Sequence, residues 1–361
     1  MTAPLSRTSV LAERHRALGS GLEDWNGMGT AWTYATDPEA EHDAVREAAG
    51  MFDMSPLKKV FVRGPEAASV LDHLTTRDIS RILPGRSAYL SVLTEAGTMA
   101  DDAIVSNNGG DDWMIVHGSG DTMALLAASA AGRDVTFALD DDLHDISVQG
   151  PNALGLLDAA SPDDIGALGY FQHKPTRLFG HPCRISRTGY SGERGYEIFA
   201  RAEVAGAIWD RLAETGVMPC SFTALDKVRI EAGLLFYGYD MTEAHTPWEV
   251  GLGFTVSQNK GAFRGREALM AAKGREAIRN VGLIVDHGDM LAGTLALAGE
   301  EVGVINSPCW SHRMEKSLAL GHVRADIADG TVLEVIADGV TTTALVAPLP
   351  FHDPEKARTH G

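Results

Sequence analysis

Two segments of the chain repeat one pattern of apolar and polar residues. Each opens with alternating apolar residues typical of a strand, continues through a Gly-Pro pair, and ends with apolar residues at helical spacing. The first reads FVRGPEAASVLDHL from Phe61, and the second reads SVQGPNALGLLDAA from Ser147. The two Gly-Pro pairs, at Gly64 and Gly150, lie too far apart for a solenoid repeat. The pattern therefore predicts two related α+β units.

The stretch between the two units predicts antiparallel hairpins. It contains the apolar runs SAYLSVLTEAGTMADDAIVSN and DDWMIVHGSG, which glycine-containing turns interrupt. Further along, SFTALDKVRIEAGLLFYG carries apolar residues on a helical stripe, and Gly233 predicts where that helix ends. The segment GAFRGREALMAAK predicts a connecting helix.

From about Asn280 onward the pattern changes to short strands. The runs are NVGLIVD, EEVGVINS, SLALGHVRA, TVLEVIA and TTTALVAPL, separated by Gly, Asp and Asn turns. Short strands at regular spacing are typical of antiparallel barrels and sandwiches. We therefore expect a C-terminal barrel or sandwich, within a chain of 361 residues that is long enough for two or three domains.

The amino-acid composition excludes several classes of function but does not alter the fold prediction. Hydrophobic residues at 44% and charged residues at 22% are ordinary for a folded soluble protein. The formal net charge of -18 would repel a polyanion and disfavours nucleic-acid binding. The three cysteines are far apart in sequence, which argues against a zinc or disulfide framework. Without a secretory signal or a run of about 18 apolar residues, we expect a cytoplasmic protein with no membrane span.

Two neighbouring carboxylates are candidates for chemistry, since no standard nucleotide-binding, metalloprotease or nucleophile-elbow motif occurs. Asp101 and Asp102 follow a glycine turn and precede an apolar β run. Consecutive strand residues face opposite ways, so at most one of them points into a given pocket. That residue is either a solvated turn carboxylate or a group that orients, or accepts a proton from, a substrate amine.

The segment RTGYSGERGYEIF combines glycines, tyrosines and glutamates. Alternation after Gly195 places Glu197 and Phe199 on one face of a strand, opposite Tyr196 and Ile198. A carboxylate flanked by apolar residues is costly to bury unless it is hydrogen-bonded. Either a salt bridge or a flat heterocycle with adjacent N–H and NH2 donors would satisfy it, and pterins and guanines offer such an edge.

Arg229 lies among apolar residues in ALDKVRIEAGL. It could pair with a local carboxylate such as Asp226 or Glu231, with its stem packed on neighbouring side chains. It could equally complement an anionic or carbonyl group on a ligand. Sequence spacing leaves both interpretations open.

A series of segments in unbroken order resembles the glycine-cleavage T-protein superfamily. One such segment would be weak evidence, but the series runs over nearly the whole chain. The segments are EHDAVREAAGMFDMS, FVRGPEA, YLSVLTEAGTMADDAIV, DISVQGPNA, RTGYSGERGYEIF, ALDKVRIEAGLLFYGYDM, TPWEVGLGFTVSQNKGAFRGREAL, VGVINSPCWSHRMEKSLALGHV and PLPFHDP.

The resemblance implies a fold of three domains arranged as a cloverleaf around a central folate channel. Two would be α+β domains of the ferredoxin-like or Greek-key kind, and the third a C-terminal antiparallel β-barrel. The first α+β domain would be discontinuous, covering 1–54 and 140–240, and would bind folate. The second would cover 55–139 and 241–275, and the barrel would cover 276–361.

Tetrahydrofolate is the ligand that the resemblance implies, because members of the superfamily move a one-carbon unit onto a folate nitrogen. Carried over by motif, Glu197 would bind the pterin edge and Tyr190 would line the folate site. Arg229 would belong to the same site. Tyr170 stands where the family often has another folate-contacting aromatic residue.

The same resemblance implies a catalytic carboxylate. Asp102 matches the essential aspartate that lies thirteen residues after a tyrosine, here Tyr89, and Asp101 is the alternative. A rigid pterin site orients the reacting nitrogen, and a carboxylate nearby stabilises positive charge and tunes proton transfer. This chemistry requires no metal.

Several segments depart from the T-protein pattern. SPLKK replaces a run like SHMG, GTMA replaces the usual glycine pair before the aspartates, and CWSHR adds Trp310, His312 and Arg313 near the barrel. The folate residues are kept while the donor side differs, as expected of folate-dependent demethylases acting on small N-, O- or S-methyl compounds such as dimethylsulfoniopropionate or methoxylated aromatics. Trp25, Trp32, Trp310 and His312 are candidates for the donor pocket.

Two other functions stay open. The first is an authentic T-protein that acts on an aminomethyl-lipoyl H-protein. The second is a non-enzymatic folate-binding accessory protein, although the Lys-Gly-Cys-x-x-Gly-Gln motif of such relatives is replaced by TPWEVGLGF in this chain.

Overall fold

The strands of the chain form two open sheets, a closed barrel and one small hairpin. The computed structural model describes residues 5–337 and 339–361. The strands in chain order are β1 (Glu23–Trp25), β2 (Met28–Thr30), β3 (Gly50–Asp53), β4 (Lys58–Arg63), β5 (Ser87–Leu93), β6 (Met99–Gly109), β7 (Asp112–His117), β8 (Thr136–Leu139), β9 (Leu143–Gln149), β10 (His173–Leu178), β11 (His181–Ser186), β12 (Gly195–Arg201), β13 (Met218–Pro219), β14 (Ile278–Val285), β15 (Thr294–Leu297), β16 (Glu300–Ser311), β17 (Lys316–Arg324), β18 (Val332–Ala337) and β19 (Val340–Ala347).

The helices are shorter elements that cover the two open sheets or connect them. None of the described helices combines the length and the apolar character needed to cross a bilayer. In chain order they are α1 (Ala12–Ala17), α2 (Pro38–Glu47), α3 (Ala67–Leu74), α4 (Thr122–Ala130), α5 (Ala153–Ala160), α6 (Ala202–Glu214), α7 (Phe222–Glu231), α8 (Arg266–Ala272) and α9 (Ala357–His360).

The larger open sheet has six strands in the order β10-β11-β12-β9-β3-β13, with only the short β13 parallel to its neighbour. Its inner residues alternate with outward ones, and Ile146, Val148, Tyr196 and Ile198 are fully buried in one core cluster. Helices α5 and α6 supply the other side of this core, for example through Ile208.

The second open sheet has five strands in the order β5-β6-β7-β4-β8, all antiparallel. Val60, Val62, Leu90 and Ile115 point to one face and are fully buried with residues of α3 and α4. The predicted antiparallel hairpins are therefore confirmed, because β5, β6 and β7 are consecutive neighbours in this sheet.

The C-terminal strands close into a barrel in the order β14-β17-β16-β15-β18-β19. Closure is made by β14, which pairs with both β17 and β19. Its interior is filled by aliphatic side chains such as Leu283, Leu295 and Val335. The prediction of an α+β chain with a C-terminal antiparallel barrel is confirmed, although the pattern missed the short strand β15.

The repeated Gly-Pro segments adopt the same local structure. In both, a strand is followed by a glycine with a positive φ and then a helix: β4, Gly64 at 129° and α3, and likewise β9, Gly150 at 131° and α5. A Cβ on Gly64 would lie 2.7 Å from the carbonyl oxygen of Asp134, and one on Gly150 would lie 2.6 Å from that of Ala48. Only glycine fits a turn with this φ and this close backbone approach.

Helix α7 is fixed at both ends by its sequence. The Ser221 side chain accepts a hydrogen bond from the backbone N–H of Ala224 at the start. At the end, Gly233 has a φ of 66°, and the N–H of Leu234 reaches back to the carbonyl of Arg229. This is a Schellman arrangement at the helix end that Gly233 predicted, and it sets the position of Arg229 in the last turn.

The two open sheets take their strands from different parts of the chain. The six-stranded sheet takes β3 and β9–β13, and the five-stranded sheet takes β4–β8. The boundaries proposed above, at residues 54, 139, 240 and 275, remain predictions.

Candidate functional site

The six-stranded sheet has one face that is polar and yet buried. Tyr196 and Ile198 of β12 point into the hydrophobic core, so Glu197 and Phe199 point to the opposite face. Phe199 contacts Met114 and Val116 of β7 there, which means that the five-stranded sheet covers this face. Buried ionisable groups at such a junction mark a candidate binding site.

Glu197 is a buried carboxylate on this face. The hydroxyl of Thr188 donates to its Oε2, and no other described residue donates to this carboxylate. Burial raises the pKa of Glu197, and the positive charge of Arg184 partly opposes that rise. The expected alternative of a direct salt bridge does not occur among the described residues.

Asp145 is a second carboxylate on the same face, and the sequence analysis missed it. Its side chain is fully buried, and neither carboxylate oxygen has a hydrogen-bond partner among the described residues. Burial raises the pKa of Asp145 well above its usual value, and the charge of Glu197 raises it further. A signal was available, because Asp145 alternates with Ile146 and Val148 in the strand before the second Gly-Pro pair.

Two basic residues lie close to these carboxylates but donate their hydrogen bonds to other groups. Lys59 of β4 is fully buried and donates to the carbonyls of Ser55 and Leu57 at 2.6 Å and 2.7 Å. Burial lowers the pKa of Lys59 to about 8, against the opposing charge of Asp145. Arg184 of β11 donates to the side-chain oxygen of Asn108 at 2.8 Å.

The two neighbouring aspartates, Asp101 and Asp102, point to opposite faces of strand β6. Asp101 points to the α4 side, where its Oδ2 accepts from the Thr122 hydroxyl at 2.7 Å and lies 2.9 Å from Nδ1 of His117. It is fully buried, and its Oδ1 also accepts from the backbone N–H of Asp102. The carboxylate of Asp101 is therefore enclosed by protein partners.

Asp102 points to the face that meets the six-stranded sheet, and it is half-buried. The hydroxyl of Tyr89 on β5 lies near its carboxylate. Burial and then the charge of Asp101 raise the pKa of Asp102 to about 7, and the nearby Tyr89 hydroxyl opposes the rise. A carboxyl group with this pKa exchanges a proton readily at neutral pH.

Two further tyrosines extend the site. Tyr190 is half-buried, its hydroxyl donates to the carbonyl of Leu235 at 2.5 Å, and the charge of Asp102 contributes to the raised pKa of Tyr190 behind burial and Asp240. Tyr170 is 37% exposed, and the charge of Glu197 adds to the effect of burial in raising its pKa. Tyr190 therefore lies near the Asp102 end of the site and Tyr170 near the Glu197 end.

The guanidinium of Arg229 forms hydrogen bonds with other side chains of the protein. It donates to Asp226 at 2.9 Å, to Asp240 at 2.5 Å and to the hydroxyl of Ser307 on the barrel at 3.0 Å. The local pair with Asp226 is one of the two interpretations left open by the sequence, whereas Asp240 was not anticipated. Arg229 is close enough to Tyr190 to influence the pKa of that tyrosine.

The candidate donor-pocket residues lie at different places. Trp25 and Trp32 pack around Phe222 at the start of α7, with ring centroids 5.3 Å and 5.4 Å away, in a cluster that Tyr190 also joins. Trp310 lies on β16 and lines a cleft on the barrel surface. The backbone carbonyl of Trp310 accepts a hydrogen bond from the side chain of Lys227 on α7.

His312 belongs to a charged cluster between α2 and the β16–β17 turn. Its Nε2 lies 3.0 Å from Oδ1 of Asp43, and Arg313 donates to the same oxygen at 2.7 Å. His42, Asp43 and His312 have ligand-type atoms within 4.8 Å of one another, the spacing of a potential metal site. Because Arg313 and His312 already engage the Asp43 carboxylate, the arrangement is an ion-pair cluster, and donor binding by Trp310 and His312 stays a prediction.

Comparison with known proteins gives the family. Residues 11–260 match the model described as the GCVT N-terminal domain, and residues 279–353 match the glycine cleavage T-protein C-terminal barrel domain. The chain belongs to the glycine cleavage T-protein family, whose members carry out folate-dependent one-carbon transfer. The resemblance found in the sequence is thereby confirmed.

Individual relatives differ in their names. The chain is 46% identical to the "Heme-dependent oxidative N-demethylase gamma subunit" of Ectopseudomonas mendocina, over 98% of this chain and 97% of the relative. It is 34% identical to the "Aminomethyltransferase" of Rubrobacter xylanophilus, over 97% and 96% of the two chains. The crystal structure of the glycine cleavage system aminomethyltransferase T from Bartonella henselae superposes with a TM-score of 0.89 and 27% identity, covering 96% of this chain and 98% of that one.

Proposed function

We propose that this protein transfers a one-carbon unit from an N-methylated amine to N5 of tetrahydrofolate. The observation that carries the proposal is Asp102, a half-buried carboxyl group with a pKa of about 7 beside Tyr89, on the face of the five-stranded sheet that meets the face carrying Glu197. The donor is a free small molecule rather than a lipoyl carrier, and O- and S-methyl compounds are the neighbouring donor classes.

The buried polar face fits a pterin ring. Glu197 has one oxygen engaged by Thr188, which leaves acceptor capacity for adjacent ring N–H and NH2 donors. The two carboxylate oxygens of Asp145 have no partner within the described part of the chain, and this second observation favours a polar ligand there, because buried carboxylates in folded proteins are nearly always hydrogen-bonded. Tyr170 near Glu197 and Tyr190 near Asp102 would flank the ligand at its two ends.

Asp102 would move the proton in the reaction. Bound tetrahydrofolate would supply the nucleophile, its N5 nitrogen. A bond from N5 to the donor carbon would form as the bond from that carbon to the nitrogen of an ammonium donor breaks, and the electron pair would leave with that nitrogen as a neutral amine. Asp102 would accept the proton that N5 loses, and Tyr89 would hold its carboxylate in place.

The surroundings of Asp102 favour a cationic donor. Tyr89, Tyr190 and Tyr237 lie around it. Burial raises the pKa of Tyr237 to about 12, and nearby negative charges contribute to this rise. These charges belong to Asp101, Glu243, Asp121 and Asp102. Aromatic rings and carboxylates together attract an ammonium or iminium group. An alkylated amine carries such a charge at neutral pH.

The relatives support the amine as the donor class. One relative is named as a subunit of an oxidative N-demethylase. We therefore also propose that this chain works beside other subunits in a demethylase complex. The aminomethyltransferase relatives favour the alternative, in which the donor is an aminomethyl-lipoyl H-protein.

A labelled-carbon assay tests the proposal. The purified protein is incubated with tetrahydrofolate and a panel of N-, O- and S-methyl compounds carrying ¹³C in the methyl group, and the folate products are identified by NMR and mass spectrometry. We expect labelled 5-methyltetrahydrofolate only with N-methyl donors, and formation of this product that is at least about 10²-fold slower with the Asp102→Asn variant.

Three results would redirect the assignment. Product from O- or S-methyl donors alone would change the donor class. Product only with aminomethyl-lipoyl H-protein would identify an aminomethyltransferase. Tetrahydrofolate binding without product from any donor, including in the presence of co-purified subunits, would support the folate-binding accessory protein.

A further inference from the structure

Asp145 has an environment that an ionised carboxylate would not tolerate. Its side chain is fully buried on β9, and both oxygens lack a partner among the described residues. Placing an unpaired carboxylate in a protein interior costs several kcal/mol. The group must therefore either hold a proton or meet a partner that the chain itself does not supply.

The register of the sheet places Asp145 beside Glu197. Asp145 pairs with Phe199, and Ser147 pairs with Glu197 on the neighbouring strand. The two carboxylates are thus diagonal neighbours on one face, a relation that puts side chains about 7–8 Å apart. That separation lets them contact two adjacent edges of one bicyclic ring without contacting each other.

The charged groups that influence the ionisation of Asp145 come from four strands. They are Glu197 on β12, Lys59 on β4, Asp53 on β3 and Arg184 on β11. Neither cation hydrogen-bonds to Asp145, because Lys59 donates to main-chain carbonyls and Arg184 donates to Asn108. The two acidic neighbours oppose ionisation, and burial acts in the same direction.

We propose that Asp145 binds the pterin ring in its neutral, protonated form, as the partner of the ionised Glu197. This inference rests on the proposed function, since it concerns the same folate site. The tetrahydropterin has one edge with two donors, N3–H and the 2-amino group, and a neighbouring edge with the acceptor N1 and the donor N8–H. The ionised Glu197, which only accepts, matches the first edge.

A neutral carboxyl group matches the second edge. It has one O–H donor and one carbonyl acceptor, so it can donate to N1 and accept from N8–H at the same time. An ionised Asp145 would instead direct a negative oxygen at the N1 lone pair. The two carboxyl groups therefore recognise different edges of the ring. Glu197 accepts hydrogen bonds from two donors, whereas Asp145 donates to one ring nitrogen and accepts from another.

Three variants separate the neutral from the ionised form. In Asp145→Asn the amide keeps one acceptor and adds N–H donors, so it reproduces the pattern of the protonated acid. We expect this variant to bind tetrahydrofolate within about threefold of the wild type. Asp145→Leu removes both groups and should weaken binding by about tenfold or more, and Glu197→Gln should weaken it similarly. Dissociation constants are measured by calorimetry, and folding is checked by thermal unfolding.

The pH dependence gives a second readout that does not involve turnover. Wild-type affinity should decrease at alkaline pH as Asp145 loses its proton, while Asp145→Asn should show no such decrease. If Asp145→Asn weakens binding as much as Glu197→Gln, then Asp145 binds as an anion and the inference is wrong. If Asp145→Leu folds and binds as tightly as the wild type, Asp145 does not contact the ligand. A wild-type protein that does not bind tetrahydrofolate at all would instead overturn the proposed function.

Discussion

At the scale of single residues, strand alternation decides which of two adjacent aspartates meets the candidate site. Asp101 is enclosed under α4 by Thr122 and His117, whereas Asp102 faces the junction of the two sheets. The sequence predicted that the pair would split between two faces but left open which residue would face which way. That choice depends on which face of the five-stranded sheet is covered by helices, and this is a property of the assembled fold.

The first prediction compares the two aspartates. Asp102→Asn removes the proton acceptor and should lower the rate of one-carbon transfer by about 10²–10⁴-fold. Asp101→Asn disturbs two buried hydrogen bonds, so it should mainly lower thermal stability. Transfer rates with the labelled donor and unfolding temperatures are measured for both variants. A similar loss of rate in both would contradict the separation of roles.

The same carboxyl group sets an expected pH dependence. Because the pKa of Asp102 is raised to about 7, the wild-type rate should rise with pH through about 7 as the base form appears. The raised pKa also means that Asp102 favours folding most when it is protonated, below its unfolded pKa of 3.8, and that this contribution is lost as pH rises through 7. Asp102→Asn should therefore be at least as stable as the wild type at pH 8.

At the scale of elements, the repeated strand, Gly-Pro and helix segments were the most reliable signal in the sequence. Both units form as predicted, because the glycine conformation and the apolar spacing are local properties. The candidate site was less predictable. Contacts of Arg229 with Asp240 and Ser307, and the position of Asp145 beside Glu197, depend on pairings between distant segments. Alternation alone gives the face of a residue but not what covers that face.

A prediction at this scale tests the Gly150 turn. Gly150→Ala would force a Cβ to within 2.6 Å of the Ala48 carbonyl oxygen at a φ of 131°, so it should lower the free energy of unfolding by about 2–4 kcal/mol. Gly155, in the exposed part of α5, is the matched control, since nothing lies within 4 Å of its Cβ position. Gly155→Ala should raise the free energy of unfolding by about 0.5–1 kcal/mol, because alanine favours the helix. Chemical denaturation measures both, and equal effects would contradict the role of the turn.

At the scale of the whole molecule, one buried carboxylate joins segments from distant parts of the chain. Glu231, at the end of α7, accepts from Arg46 at 2.8 Å and from Ser311 of the barrel at 2.7 Å, and lies 2.9 Å from Nε2 of His42. Arg46 continues the network to Glu193, which Arg358 of α9 also contacts. The first sheet region, the barrel and the C-terminal segment therefore share one set of hydrogen bonds.

A further prediction concerns the hydrogen-bond network around Glu231. Its partners lower the pKa of Glu231 to about 2 despite burial, so ionised Glu231 stabilises the folded state. Glu231→Gln should lower the free energy of unfolding by about 3 kcal/mol at pH 7. A carboxyl group with a depressed pKa contributes above its unfolded pKa of 4.5, and this contribution is lost as pH falls towards 2. The difference between variant and wild type should therefore shrink over that range.

An exposed glutamate provides the control for the network. Glu47 pairs with Arg313 on the surface, and 64% of the Glu47 side chain is exposed. Glu47→Gln should therefore change the free energy of unfolding by no more than about 0.5 kcal/mol between about pH 3 and pH 7. Denaturant titrations at pH 7, 4.5 and 3 compare the two variants with the wild type. If Glu231→Gln cost no more than Glu47→Gln at pH 7, the network would not hold the three regions together. A large cost that persisted unchanged at pH 3 would instead mean that the glutamine disturbs packing rather than charge.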